Sequence, residues 1–233
     1  MNSNPAETRF SPWEHSSSLL LTLSFLYWVI MKKPGSVKSL EELGRVRLSK
    51  NFFMRDFLYS EVANFYGIPN IPDRPEEAFA AGKHLCEELL EPLQSTFGRI
   101  SIRSGYRSAE VNRICNEKGH NCASNEANAA AHIWDMRDAQ GQSGAMACIV
   151  VNWYLDQYEQ TQDCQPLAWW IHDNLPYSYM SFFSNLCAFN IGWHEAPTRI
   201  IYRWRSSKEL ITKPGMDNHE GDHSEWYPGF PKL

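Results

Sequence analysis

The chain has 233 residues, 43% of them hydrophobic and 21% charged, with 22 basic against 27 acidic side chains and a net charge of −5. That length supplies one ordinary core without a disulfide scaffold. The acid excess excludes a sequence-wide basic footprint for nucleic acid, and 13% aromatic residues exclude disorder over most of the chain.

The strongest apolar run lies at 19–31 (LLLTLSFLYWVIM). It is short of the ~20 residues that cross a bilayer, and Glu7, Arg9 and Glu14 replace the basic flank of a secretory signal. Three readings stand: translated upstream sequence with Met31 as the true start, a signal or anchor, or a buried core helix. No confident membrane span is expected. Next, Leu40 to Gly44 is a short helical piece. Apolar residues at Phe53, Phe57, Leu58, Val62 and Phe65 predict a helix over 51–66, closed by Gly67. A proline-rich loop leads to Pro75, where a long helix starts with Glu76 and Glu77 in its first turn. It carries Phe79, Gly82, Leu85, Leu89, Leu93 and Phe97 on one face, is kinked or restarted at Pro92, and ends at Gly98.

Arg99 to Arg103 alternates as a strand, Ser104-Gly105 turns, and Ala109 to Lys118 is helical. Residues 119–143 form a long polar, alanine-rich excursion of the kind that is functional or floppy. Gly144 to Val151 is a buried segment, strand or helix start; Leu167 to Leu175 is a helix stopped by Pro176. Strands follow at 179–183, 189–193 and 200–204. The pattern is α+β: a single domain with a small antiparallel sheet flanked by helices. The expected division is an N-terminal extension over 1–47, the domain proper over 48–204, and an irregular His-rich tail over 205–233.

The most informative segment is ISIRSGYRS, Ile100 to Ser108. A strand ending in a glycine turn delivers Arg103, Ser104, Tyr106 and Arg107 to one rim, and two guanidinium forks beside a phenol make a carboxylate clamp. A surface ion-pair cluster is the plain alternative. This SGYRS, preceded by LEPLQSTFG and followed by VNR, resembles the zinc D-Ala-D-Ala carboxypeptidases and endopeptidases, metallopeptidase family fifteen. The helix and GI-x-N turn of 51–70, and WIHDNLPY at 170–177, are similar to further segments of that family. The resemblance covers about 48–204. It implies a DD-peptidase-like domain that hydrolyses peptide bonds of peptidoglycan stem peptides with zinc, Arg107 holding a substrate carboxylate or shaping the cleft.

The family's metal pattern, S-x-H-x-x-G-x-A-x-D and a later W-x-H, is altered here. Aligning on GAMACI puts Gly144 at the glycine, Cys148 at the aspartate and Gly141 at the first histidine; aligning on FNIGW puts Asn190 at the last. A shifted zinc site is the looser reading, with His132, Asp138 or Cys148, and His194 as ligands and Glu195 as general base. Against it, neighbouring strand residues face opposite ways, so His194 inherits no slot of Trp193 parity without a bulge.

HEGDH at 219–223 matches H-E-x-x-H but sits among glycines and prolines rather than on a helix. It is either a solvated turn or a segment folded back to lend a histidine or acid to the cleft. Cys115 and Cys122 read as free thiols by default, as a small disulfide if the protein is exported, or with His120 as half of a metal site. Trp134, Trp153, Trp169 and Trp170 read as core, with Trp134 a possible cleft wall.

Three functions follow as expectations. One is a zinc peptidase acting on peptidoglycan stem peptides. Another is a catalytically inactive relative that binds them. The third is a metal hydrolase rebuilt around His132, His194 and the tail histidines. The resemblance leaves both the cell envelope and a cytoplasmic phage-type lysis protein open, and the oligomeric state unassigned.

Overall fold

The computed structural model describes residues 33–233, so the apolar run at 19–31 lies outside the described residues. Helix α1 (Val37–Gly44) begins at a capping box in which Ser36 and Ser39 satisfy each other's backbone. The helix expected over 51–66 is two pieces. A 3-10 turn covers Met54–Phe57, pinned where the Asp56 carboxylate accepts the Phe53 N–H at 2.8 Å. Ser60 then leaves helical conformation (φ −151°), and its hydroxyl accepts the Ala63 N–H to start α2 (Glu61–Tyr66).

The long helix is present with an interruption. Helix α3 (Pro75–Leu85) widens into a π turn over Cys86–Leu90 and resumes as α4 (Glu91–Phe97). Pro92, which has no N–H to give to a continuous ladder, sits in the first turn after the widening. Glu91 ties this point to the preceding loop: its carboxylate accepts from Ser49 Oγ (2.7 Å), Asn51 N (2.5 Å) and Asn51 Nδ2 (2.7 Å).

The sheet has six strands: β1 (Ile100–Ser104), β2 (Gly144–Val151), β3 (Tyr179–Phe182), β4 (Phe189–His194), β5 (Ile200–Trp204) and β6 (Lys208–Thr212). Their order is β1-β2-β4-β3-β5-β6, antiparallel except for the β3–β5 pair, which makes the fold α+β. Helices α5 (Ala109–Glu117), α6 (Asn125–Asn128), α7 (Asn152–Thr161) and α8 (Gln165–Asn174) complete it. Among the described residues no helix is long and apolar enough to cross a membrane.

Besides the short helix α6 within 119–143 and a 3-10 turn at Ser224–Trp226, two larger elements were not expected. Helix α7 follows β2 directly. Strand β6 lies inside the segment read as an irregular tail, whose first part therefore belongs to the sheet. Five residues with Lys208 and Glu209 at the start carry little strand signal on their own; pairing with β5 supplies the backbone partners.

One face of β2 (Ala145, Ala147, Ile149, Val151) is buried in the core shared with α3 and α4. The other face carries Gly144, Met146 and Cys148, in register with His194, Gly192 and Asn190 of β4. That second face is the floor of the candidate site. The excursion 119–143 is not floppy: Trp134, 1% exposed, lies in the core rather than in a cleft wall and donates Nε1–H to Met146 O at 3.0 Å. Trp169 and Trp170 are buried as well, while Trp153 is half exposed.

Candidate functional site

Two hollows lie beside the floor strands. The first, about 490 Å³, gathers His132, Asp138, His194, Asn190, Tyr179 and Lys208 around Met146 and Gly192. The second, about 470 Å³, is formed by Arg107, Ser104, Glu61, Tyr66, His120 and the Cys115–Cys122 bridge.

His132 is held by its own loop. Its backbone carbonyl accepts the Arg107 N–H (2.8 Å), and its Nδ1–H donates to Gly105 O (3.0 Å). This fixes the tautomer and leaves Nε2 unprotonated, with the Asn190 side chain as the ring's other polar neighbour. Burial pushes the ring's pKa down to about 3, helped by the positive charge of Arg107 and opposed by Gly105 O and Asn190. The folded ring refuses a proton that the unfolded ring accepts near pH 6.5. Its stabilising contribution is therefore complete above about pH 6.5 and is lost as pH falls toward 3, with a slope approaching ~1.4 kcal/mol per pH unit. Urea unfolding at pH 7, 5 and 4 should show this loss in the wild type and a flatter dependence in His132→Gln. Equal slopes in the two proteins would contradict the assignment.

His194 and Asp138 form a separate pair. His194 Nδ1 lies 3.0 Å from both the N–H and the carbonyl oxygen of Ala196, and its Nε2 faces Asp138 Oδ2 at 3.1 Å, where the carboxylate accepts an Nε2–H. The other oxygen of Asp138 accepts the N–H groups of Gln140 (2.9 Å) and Gln142 (2.8 Å), which lower its pKa together with His194 and against burial. Asp138 thus closes a turn as much as it serves the hollow. Strand parity holds without a bulge: Gly144 pairs with His194 and Ala145 with Trp193. His194 shares a face with Asn190 and Gly192, while Trp193 stacks on His84 at 4.2 Å.

The expected zinc set is not one centre. His132 lies against Asn190, whereas His194 is four residues farther along β4 and pairs there with Asp138 from the loop before β2. Among the described residues, three or more metal-capable side chains come within 4.8 Å of one another only elsewhere, at His172, Asp173 and His223. Burial pushes the Cys148 thiol up to about 11 against the charges of Arg103 and Arg107. Opposite it in register stands the Asn190 amide. One imidazole, a thiol and an amide, with no second histidine or carboxylate gathered beside them among the described residues, do not fit a catalytic zinc ion.

Three further assignments change. Glu195 does not line the His132 hollow: its carboxylate accepts the Ser143 N–H (2.7 Å) in a separate depression with His84, Arg137 and Trp193. It has no reach as a general base there. Tyr106 is 1% exposed, and its hydroxyl donates to Asp135 Oδ1 (3.0 Å), so it supports the turn rather than presenting a phenol to a ligand. Arg103 is exposed on β1, outside both hollows.

Arg107 and Ser104 line the second hollow, and Tyr106 contributes to its wall while its hydroxyl is spent on Asp135. The Arg107 guanidinium donates to Cys122 Sγ (3.1 Å) and Asn112 Oδ1 (3.4 Å), and no carboxylate lies within 4.0 Å of it among the described residues. Burial lowers its pKa, so the charge is held at some cost. Cys115 and Cys122 are disulfide-bonded rather than free, with Cα atoms 5.6 Å apart, and the bridge forms part of this wall. His120 instead accepts from or donates to the Tyr66 hydroxyl (2.8 Å), so the three do not make half a metal site.

The HEGDH segment folds back, but against α8 rather than the cleft. His219 and His223 are buried beside His172, away from both hollows. No family model, no curated protein and no solved structure matches this chain.

Proposed function

We propose that the chain is a peptide-binding module that captures peptidoglycan stem peptides by their terminal carboxylate, in the manner of a DD-peptidase-like domain without its zinc chemistry. The observation that carries this reading is Arg107, a desolvated guanidinium whose hydrogen-bond partners are neutral and which feels the Glu61 carboxylate only through space, on the wall of a hollow of about 470 Å³. A carboxylate is the ligand such a fork matches. Tyr59, Phe65 and Tyr66 add aromatic surface at the same hollow for an apolar side chain or a peptide plane. The neighbouring hollow, with His132, Asn190 and Lys208, gives a peptide a second row of polar contacts.

A zinc-dependent peptidase is the second reading. One feature favours it: His132 has the arrangement of a metal-ligating imidazole, with Nδ1–H on a backbone carbonyl and Nε2 left as acceptor. Purified protein incubated with insoluble peptidoglycan, and with a synthetic stem peptide ending in D-Ala-D-Ala, distinguishes the two. The binding reading expects retention and no new amino groups, with Arg107→Ala weakening peptide binding at least ~10-fold, as loss of a charge-assisted pair does. Chelator-sensitive release of amino groups would establish the peptidase instead. Retention that Arg107→Ala leaves intact would remove the carboxylate assignment.

A further inference from the structure

The C-terminal segment after β6 packs on the end of α8, where it forms a cluster of histidines and carboxylates whose members line neither hollow. A ring nitrogen of His172, a ring nitrogen of His223 and a carboxylate oxygen of Asp173 lie within 4.8 Å of one another. Both imidazoles are 8% exposed or less. We propose that His172, Asp173 and His223 form a divalent-cation site, suited to zinc, that fastens the C-terminal segment to α8.

The hydrogen bonds around the cluster support a cation there. His223 Nε2 faces Asn218 O at 3.1 Å, and a carbonyl oxygen only accepts, so Nε2 carries a hydrogen. Its Nδ1 faces Asp173 Oδ1 at 2.7 Å. In the neutral ring that Nδ1 is itself an acceptor, so at this separation a proton lies between the two atoms; a metal ion would take that proton's place with the two ligand atoms moving apart to its own bond lengths. His172 is prepared in the same way, its Nε2–H donating to His219 O at 2.8 Å while Nδ1 accepts from the Tyr177 hydroxyl at 2.6 Å. Imidazoles whose second nitrogen is pinned to a backbone carbonyl are the usual metal-ligating form.

The carboxylate is likewise held from outside. Asp173 Oδ2 accepts from the Tyr227 hydroxyl (2.7 Å) and the His223 N–H (3.0 Å), which aims Oδ1 at the imidazole. The indole of Trp169 stacks on His223 at 4.2 Å and shields it from water. Two imidazoles and one carboxylate are a common three-ligand set for zinc, leaving a fourth position for water. Binding would displace the proton between His223 and Asp173 to solvent, and His172 would exchange one of its two hydrogen bonds for the metal. The ligands are supplied by two elements, α8 and the tail, so occupancy ties one to the other.

The test uses the full-length, untagged protein, stripped with chelator and titrated with zinc chloride. One equivalent should bind saturably with a raised Tm, and cobalt(II) in its place should give the absorption bands of a tetrahedral site. His223→Gln and Asp173→Asn should each weaken zinc binding at least ~10-fold, while His132→Gln, in the other hollow, should not. Since the tail variants also lose native hydrogen bonds, a wild-type readout accompanies them: zinc should slow amide exchange over residues 218–227. Absence of saturable binding, binding that survives His223→Gln, or zinc bound without slower exchange over 218–227 would overturn the proposal and leave a proton as the bridge. Loss of zinc with His132→Gln alone would overturn it in favour of the other hollow.

Discussion

Asp135→Ala is expected to destabilise the protein by about 3–5 kcal/mol, since each hydrogen bond to a charged group contributes ~1.5–3 kcal/mol and several are lost together. Asp135 is 4% exposed. Its Oδ2 accepts the N–H groups of Asp73 (2.8 Å) and Arg74 (3.0 Å), and its Oδ1 takes the Tyr106 hydroxyl (3.0 Å). Helix α3 has no capping side chain of its own at Arg74, so this carboxylate, contributed from 61 residues away, satisfies donors that precede its first turn. Truncation leaves those donors unpaired and strands the Tyr106 hydroxyl in the core, where burial and the adjacent carboxylate already hold it firmly protonated. Asp135→Asn should cost less, because the amide oxygen still accepts from one side. Urea unfolding at pH 7 measures both; a loss below about 1 kcal/mol for Asp135→Ala would refute the capping role.

Trp134→Ala should be as damaging, about 3–5 kcal/mol, by loss of buried surface and the cavity left behind. The indole is 1% exposed and packs at 5.1 Å from the Phe57 ring and 6.0 Å from the Tyr106 ring. It fills the space that Gly82 leaves open on α3: a Cβ built on Gly82 would come 2.8 Å from the indole Cζ3. The residue is one step from Ile133 and two from His132, so its loss should also loosen the loop that positions His132. The expected outcome is a lower unfolding midpoint and, under the proposed peptide-binding function, weaker retention of the stem peptide. Trp134→Phe, which keeps a ring and loses only the Nε1–H bond to Met146 O, should recover part of both.

These two side chains mark what could and could not be read from the amino-acid order. Strands β1, β3, β4 and β5 and the long helix through α3 and α4 were legible, because alternation and helical spacing are local signals. The break at Ser60 was missed, since a cap competes with periodicity at a single residue. So was the anchoring of 119–143, because Tyr106 and Asp135 meet across 29 residues and no local pattern announces it. The site was half legible. His132, Asp138 and His194 do line one hollow, but their spacing along it is a matter of strand register, which placed Asn190 rather than His194 opposite Cys148. The Cys115–Cys122 pairing depended on the chain reversal at Gly119 (φ +72°), a conformation that suits glycine and brings two thiols together after α5.

Strands β1 and β6 border the sheet, and each ends its hydrogen-bonding ladder with charge: Arg103 on the first, Lys208 and Glu209 on the second. Bordering strands that are five residues long and charged make poor templates for a further strand from another chain. Copies of the chain brought close together would therefore resist pairing along both margins of the sheet.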